Sequence, residues 1–188
     1  MHRAVEKLAR INRSLVLLAK LENREYAPEK SLCLSTAVND SLRSFAELME
    51  MKGLGLRTTV EPDVQVPLHP ALADVLLSNL ISNAIRHNVD EGAIAVQLDR
   101  TGLTVSNTGR APAVPPEQLF ERFKKGNPEC NSAGLGLSIV KQVCKLHGFE
   151  VGYRYADDRH VLSVHFGKPG APSVKEVQLV PQLEQVLT

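Results

Sequence analysis

The stretch at residues 74–88, DVLLSNLISNAIRHN, carries polar amides at positions where a helix would otherwise bury apolar side chains. Asn79 and Asn83 lie four residues apart, so on a helix they share one face, one turn above the other. Arg86 and His87 extend this polar stripe, and the apolar stripe beside it consists of Val75, Leu76, Leu80, Ile81 and Ala84. Asparagine is a mediocre helix former, and a buried amide requires hydrogen-bond partners. Two amides in register therefore indicate a polar ligand on this helix.

Length, composition and charge limit the class of protein. The 188 residues, 43% of them hydrophobic, suit one domain of ordinary size with a short appendage. The net charge of +1 argues against nucleic acid or an anionic membrane as a partner. The 3 cysteines have no CxxC spacing, so neither a disulfide framework nor a zinc site is predicted. No apolar run reaches the roughly 18 to 20 residues of a membrane span, and no signal peptide is recognised. We therefore expect a soluble chain in a reducing cytosol.

Residues 1–25 are predicted to form one long helix that ends at Pro28. Its apolar residues recur at alternating intervals of four and three and form a narrow heptad seam, made of Ala4, Leu8, Ile11, Leu15 and Leu18. Such a seam requires a helical partner. Either the helix packs on its own domain, or it is one helix of a dimeric bundle, and the narrowness of the seam favours the bundle.

Strand and helix signals then follow in order. A short strand at 31–34 leads to a helix at 36–52, capped by Ser35, with inward residues Ala37, Val38, Leu42, Phe45, Ala46 and Met49. Residues 56–60 and 64–66 read as an extended pair separated by a Pro-Asp turn, and the central helix spans 70–88. Alternating strands on either side of residues 100–102 predict a β-hairpin.

A long irregular segment separates this hairpin from the last helix. Residues 108–132 have loop composition, with one helical turn at 119–123, and loops of this length often cover ligands. A helix at 135–147, capped by Gly148, precedes strands at 150–155 and 160–166 that are joined by an Asp157-Asp158 turn. Residues 167–188 read as a linker and a tail.

Gly134 and Gly136 flank the start of that last helix. Free backbone N–H groups and the helix dipole bind phosphate at such a start, although a glycine there is also an ordinary turn residue. The amide oxygen of Asn83 is a hard ligand that suits magnesium held jointly with phosphates. Arg86, one turn further on, is placed to reach a phosphate. These features together favour a phosphate-bearing ligand.

Four motifs identify a family resemblance: NLISNAIRHN, VSNTG, LFERF and GLGLSIV occur in the order and spacing of the catalytic ATP-binding domain of sensor histidine kinases. The chain resembles that family over residues 31–166, within the wider ATPase group that contains gyrase B, Hsp90 and MutL. The resemblance implies an α+β fold, a two-layer α/β sandwich whose mixed sheet is backed by three helices, preceded by the long N-terminal helix. It also implies three parts. Residues 1–27 are the C-terminal helix of a dimerisation and phosphotransfer domain, 28–166 the catalytic domain, and 167–188 a tail.

By resemblance, residues of the central helix and of the end of the hairpin that follows it would contact the ligand. Asn83 would coordinate Mg²⁺, and Asn79 would line the phosphate side of the helix. Arg86 would approach the phosphates of ATP, and His87 the ribose or the phosphates. His87 could equally cap the helix C-terminus as a cation. Further residues match by motif: Asn107 stands where the family has the aspartate that receives the adenine amino group, and Gly109 lets the base approach the backbone.

The lid and the last helix supply the remaining residues of the implied site. Phe120 and Phe123 resemble the aromatic pair that anchors the lid, with Arg122 and Lys124 as candidates to reach the terminal phosphate. On spacing alone, two such phenylalanines belong more often to a core, and Lys124-Lys125 is more often a solvated pair. The turn that cradles the phosphates would be formed by Gly134, Leu135, Gly136 and Leu137.

Three departures from the family pattern have consequences. Asn107 in place of the carboxylate removes charge assistance worth roughly 1 kcal/mol, so we expect ATP to bind with micromolar to millimolar affinity and adenine to be preferred. Arg110-Ala111-Pro112 lacks the second glycine of the family's first glycine motif, so that loop should be stiffer. The lid, at 124–133, is short, and its Cys130 is either an exposed thiol or an ordinary loop residue.

The phosphoacceptor motif is missing from the sequence. The 6 histidines lack the family's following acidic residue and proline, so no catalytic histidine is assigned and the chain alone should bind ATP without phosphorylating itself. The expected partners are a dimerisation domain, in a homodimer of the full-length protein, and a response regulator, with no nucleic acid. The expected location is cytoplasmic, and whether the full-length protein is anchored in the inner membrane stays open.

Two other classes of protein are alternatives for this sequence. A gyrase-like or Hsp90-like ATPase activates water with a glutamate one turn before the metal-binding asparagine, where this chain has Asn79, whose amide is no general base. A non-catalytic nucleotide sensor, with an anti-sigma-like serine kinase as its enzymatic neighbour, is the second alternative. The histidine kinase domain is the function predicted from the sequence.

Overall fold

The computed structural model describes residues 2–23, 26, 31–124 and 133–167. The helices are α1 (His2–Glu22), α2 (Leu34–Ser44), α3 (Ala46–Met51), α4 (Pro70–Arg86) and α5 (Gly136–His147), with a short 3-10 helix at Pro116–Phe120. The strands are β1 (Leu32–Cys33), β2 (Gly55–Val60), β3 (Gln65–Val66), β4 (Ala93–Leu98), β5 (Gly102–Thr108), β6 (Glu150–Ala156) and β7 (Arg159–His165).

A mixed five-stranded sheet forms one layer of the domain, with the strand order β2-β4-β5-β7-β6. Only the β2–β4 pair is parallel, and the other pairs of this sheet are antiparallel. Alternate residues of β4 and β5 are buried, among them Ile94, Val96, Leu103 and Val105, and they pack with α4 and α5 in one core. The predicted two-layer α/β sandwich with a mixed sheet is confirmed.

The central helix forms where the sequence predicts it. Pro70 occupies its first turn, and the Nδ1 atom of His69 accepts a hydrogen bond from the Ala71 N–H at 3.2 Å, which caps the N-terminus. The predicted apolar stripe is buried at Leu76, Leu80, Ile81 and Ala84. Because the apolar stripe faces the core, the amides of Asn79 and Asn83 lie on a different face of α4.

Several local expectations were wrong, and for Ser35 the reason is a pair of non-local hydrogen bonds. Ser35 lies inside α2 rather than at its cap, and its hydroxyl donates to the Glu61 carbonyl at 2.7 Å and accepts from the Val64 N–H at 3.0 Å. The predicted helix at 36–52 breaks at Phe45 into α2 and α3, and Ala46 is exposed. The predicted turn at 119–123 lies at Pro116–Phe120.

The extended segments on either side of the Pro-Asp turn do not pair with each other. β2 pairs with β4 in the large sheet, whereas β3 pairs with β1 in a separate two-stranded sheet. The predicted hairpin of β4 and β5 is confirmed, and so is the final pair of strands, β6 and β7, with positive φ at both Asp157 and Asp158 in the turn. Gly148 ends α5 with φ +69°, as predicted.

Helix α1 packs on the domain through its C-terminal part. Leu18 and Leu21 are 2% and 1% exposed, while Leu8 and Leu15 are 66% and 37% exposed. Glu22 pairs with Arg122, which follows the 3-10 helix. The helix therefore does pack on its own domain, and part of its heptad seam is left uncovered. Pro28 and the side chain of Ala4 lie outside the described residues. Among the helices described, none is long and apolar enough to cross a membrane.

Candidate functional site

Asn79 on α4 and Gly136 at the start of α5 lie against each other. The Nδ2 atom of Asn79 donates to the Val75 carbonyl at 2.7 Å. A Cβ atom on Gly136 would lie 2.9 Å from the Oδ1 atom of Asn79, closer than real Cβ atoms approach. Because residue 136 has no side chain, the N-terminus of α5 can approach the amide-bearing face of α4. Two of the predicted site residues are thereby brought together.

Asn83 carries an amide that is half-buried and available. Its backbone carbonyl accepts the His87 N–H at 3.0 Å, and its side chain has no hydrogen-bond partner within the ranges that the structure describes. Amide oxygens are hard ligands, and Mg²⁺ usually keeps several waters and binds through one or two protein oxygens plus phosphates. The described residues hold no cluster of three or more His, Cys, Asp or Glu side chains that would bind a metal by itself. Asn83 fits a magnesium ion shared with a phosphate-bearing ligand.

The turn at the start of α5 contacts the backbone of residues 123–124. Gly134 has φ +68°, and a Cβ there would lie 2.6 Å from the Lys124 carbonyl oxygen. The Phe123 N–H donates to the Gly134 carbonyl at 2.8 Å. Leu135 is buried, and Leu137 packs on the core. The backbone at 123–124 is thus joined to the start of α5, and Lys125 and Cys130 lie outside the described residues.

The four predicted residues from the end of the 3-10 helix to residue 124 have different environments. Phe120 packs on the core, which is the ordinary alternative for this residue, whereas Phe123 is 59% exposed with φ +63°. Arg122 pairs with Glu22 on α1. Lys124 donates to the Gln118 Oε1 atom at 3.4 Å. Both basic side chains are therefore bound to other protein groups in this arrangement.

Asn107, near the end of β5, is 1% exposed. Its Nδ2 atom donates to the Thr108 carbonyl at 2.8 Å and to the His87 carbonyl at 3.4 Å. Its Oδ1 atom has no donor in the described part of the chain. Because a carbonyl can only accept, these two contacts orient the amide with its oxygen as the free acceptor.

Gly109 is enclosed by protein groups from α4 and from the β6–β7 hairpin. Its N–H donates to the Asp158 carbonyl at 2.9 Å, and its carbonyl accepts the Tyr155 hydroxyl at 3.0 Å. A Cβ atom would lie 2.5 Å from the His87 carbonyl oxygen and 2.6 Å from the ring of His160. Sequence reasoning missed Tyr155 and His160, because the pairing of β5 with β7 carries no short-range signal.

Two histidines next to this glycine are neutral at physiological pH. Burial, then the charges of Arg86 and His160, lowers the pKa of His87 to about 4. Burial also lowers the pKa of His160, against a smaller raising effect of the Arg110 backbone. His87 caps α4 through its backbone N–H, and its lowered pKa disfavours the alternative in which the side chain acts there as a cation. Arg86 is exposed at the last position of α4.

Comparisons with known proteins identify the family of the chain. Residues 69–172 match the family described as histidine kinase-, DNA gyrase B-, and HSP90-like ATPase. Sensor histidine kinase HprS of Escherichia coli (strain K12) is 30% identical over 168 residues, which are 85% of this chain and 36% of that protein. The chain spans about a third of the length of the curated relatives it matches.

Solved structures show the same fold. The catalytic domain of histidine kinase ThkA superposes with a TM-score of 0.62 at 23% identity, covering 74% of this chain and 95% of that one. The cytoplasmic segment of histidine kinase QseC superposes with a TM-score of 0.62 at 21% identity, covering 87% and 95%. At these identities the likeness establishes the fold alone.

Proposed function

Because the chain belongs to the family of histidine kinase-, DNA gyrase B- and HSP90-like ATPases, we propose that it is the ATP-binding catalytic domain of a sensor histidine kinase. Its reaction is transfer of the γ-phosphate of ATP to a histidine on a dimerisation domain. The observation that supports this proposal best is the amide of Asn83, which has no hydrogen-bond partner among the described residues and lies one turn from the point where α4 meets the glycine-flanked start of α5.

The proposed ligand extends between the two ends of the site. The base binds at the end of β5, where Asn107 offers its Oδ1 atom to an exocyclic amino group. The phosphates bind at the N-terminus of α5, where backbone N–H groups and the helix dipole favour negative charge. Asn83 holds Mg²⁺, which would reduce the charge repulsion among the phosphates when bound. This placement assigns separate groups of the chain to the base and to the phosphates.

The phosphoacceptor and the further partners are proposed for the longer protein. We propose a dimerisation domain, a homodimer and a response regulator as partners of the longer protein, on the ground that similar proteins are named sensor histidine kinases. The proposed location of this domain is the cytoplasm. Arg122 and Lys124 remain candidates to reach the terminal phosphate, which requires them to leave Glu22 and Gln118.

Asn79 argues against a gyrase-like ATPase. An amide cannot remove a proton from water, and its nitrogen is already bound to the Val75 carbonyl. We therefore expect ATP hydrolysis by this chain to be slow. A steady-state assay with rapid, magnesium-dependent phosphate release would contradict this assignment.

The kinase proposal is tested in trans. The full chain, mixed with radiolabelled magnesium-ATP and a separate dimerisation domain that carries a phosphoacceptor histidine, should give an acid-labile, base-stable label on the added domain. Asn83→Ala should abolish the label, and Asn39→Ala, which alters an exposed asparagine on α2, should not. A label on the chain itself, or none on the added domain despite ATP binding, would refute the proposal.

A further inference from the structure

We propose that the β6–β7 hairpin positions the nucleotide base by fixing Gly109, and that Tyr155 is its principal positioning residue. The inference rests on the proposed function, in which the end of β5 receives the base. The β6–β7 hairpin contains none of the four sequence motifs of the implied site, so its role in binding the base is additional to theirs.

Gly109 lies just beyond the last residue of β5, so the regular pairing of the strand does not hold it. Both of its backbone polar groups are instead bound by the hairpin. The Asp158 carbonyl accepts its N–H at 2.9 Å, and the Tyr155 hydroxyl donates to its carbonyl at 3.0 Å. The same hydroxyl lies 3.1 Å from the Asp158 Oδ1 atom, so one tyrosine links the hairpin turn to the strand end.

His160 closes the side of Gly109 where a side chain would lie. Its ring is 2.6 Å from the position of a Cβ on Gly109, and its Nδ1 atom is 2.7 Å from the Tyr153 hydroxyl. The Tyr155 ring packs on it with centroids 5.1 Å apart. His160 also lies opposite Asn107 in the β5–β7 register. The hairpin therefore contacts the strand end both through Gly109 and beside Asn107.

A shift of Gly109 would disturb one of the two hydrogen bonds that orient the Asn107 amide, the bond to the His87 carbonyl. The His87 carbonyl lies against Gly109 and also accepts the Asn107 Nδ2 atom at 3.4 Å, which is already long for a hydrogen bond. Loosening Gly109 allows this carbonyl and the strand end to separate, and the Asn107 amide then loses one of the two contacts that set its orientation. The expected consequence is weaker binding of the base with unchanged binding of the phosphates.

The test compares two ligands on the full chain by calorimetry. Tyr155→Phe removes only the hydroxyl, so it should raise the Kd for magnesium-ATP about fivefold, the effect of one hydrogen bond. Its Kd for inorganic tripolyphosphate, which has no base, should not change. Tyr153→Phe, which acts through His160, should have a smaller effect in the same direction. Thermal melting verifies that each variant is folded.

Thr101→Val is the matched control. It also removes one hydroxyl, which donates to Asp99 at the opposite end of β5, so it should leave both Kd values unchanged. Wild-type ATP affinity in Tyr155→Phe, or an equal loss for ATP and tripolyphosphate, would overturn the inference while the proposed function stands. Failure of the unmodified chain to bind ATP would overturn the proposed function and this inference together.

Discussion

At the scale of single residues, the groups around Asn107 favour an amide over a carboxylate at this position. Both groups that contact its Nδ2 atom are carbonyl oxygens, from Thr108 and His87, and the residue is buried. The resemblance implies a carboxylate at this position, yet a carboxylate would place negative charge against two acceptors. The neutral acceptor at Asn107 is thus matched to this chain, and restoring the family's residue should harm it.

Asn107→Asp is expected to lower the free energy of unfolding by about 1 to 3 kcal/mol at neutral pH, because two hydrogen bonds are lost and a buried charge is left unpaired. Burial and the facing carbonyls should raise the pKa of the new carboxyl in the folded state. The protonated form can donate to a carbonyl, so the deficit relative to wild type should shrink as the pH falls. Urea unfolding at a neutral and a mildly acidic pH measures both effects, and a deficit that is the same at both pH values would contradict the explanation.

His87 gives a second prediction, about acid stability. Its folded-state pKa, about 4, lies below the ordinary histidine value because of burial and the nearby Arg86 and His160. As the pH falls below the unfolded-state pKa of about 6.5, the unfolded chain binds the proton first and stability is lost. Since the ring is partly exposed, the loss between pH 7.5 and pH 5 should be about 1 to 2 kcal/mol.

His87→Gln should remove this contribution and flatten the dependence of unfolding free energy on pH. The share of His160, whose pKa is lowered in the same direction, should remain in the variant. Chemical denaturation across the acid range measures the slope. A variant with the wild-type slope would show that His87 titrates normally in the folded protein.

At the scale of elements, the two glycines that flank α5 have nearly the same positive φ and different surroundings. Gly134 has φ +68° and Gly148 has φ +69°. A Cβ at Gly134 would meet backbone atoms of Phe123 and Lys124 at 2.7 and 2.6 Å, whereas at Gly148 nothing lies within 4 Å. Substitution of the two glycines therefore distinguishes the cost of a left-handed backbone, which both share, from the cost of a steric clash, which only Gly134 has.

Gly148→Ala should lower stability by about 1 kcal/mol, the cost of a left-handed alanine. Gly134→Ala should lower it by about 2 to 4 kcal/mol, because the backbone it meets cannot move aside without breaking the contact between Phe123 and Gly134. Only Gly134→Ala should also weaken tripolyphosphate binding, since it disturbs the start of α5. Equal effects of both variants on stability would mean that residues 123–124 do not pack against this turn.

Elements with a local signal could be predicted from the sequence. The apolar stripe of α4 and the hairpin of β4 and β5 were confirmed, because periodicity and turn residues specify them within a short window. Pairings between distant segments, such as β2 with β4 and β3 with β1, could not be predicted. The alternation of apolar and polar residues identifies a strand but does not indicate which strand it pairs with. Tyr155 and His160 were missed for the same reason.

At the scale of the whole molecule, α1 is attached to the domain by its last turns. Leu18 and Leu21 belong to the common core, α1 contacts α5, and Glu22 reaches Arg122 beside the proposed phosphate site. The heptad pattern favours a dimeric bundle, and the exposed Leu8 and Leu15 leave part of the seam available for one. One helix therefore contacts the domain at one end and keeps an apolar seam at the other.

Two leucines on α1 test this attachment. Leu21→Ala should lower the free energy of unfolding by about 2 to 4 kcal/mol, because Leu21 is 1% exposed and its removal leaves a cavity. Leu8→Ala makes the same change on the same helix where the side chain is 66% exposed, and it should alter stability by no more than about 0.5 kcal/mol. Urea denaturation at low protein concentration, where a dimer would dissociate, gives both values. If the two variants were equally stable, α1 would not pack on the catalytic domain in solution, and the pairing of Glu22 with Arg122 would lose its structural basis.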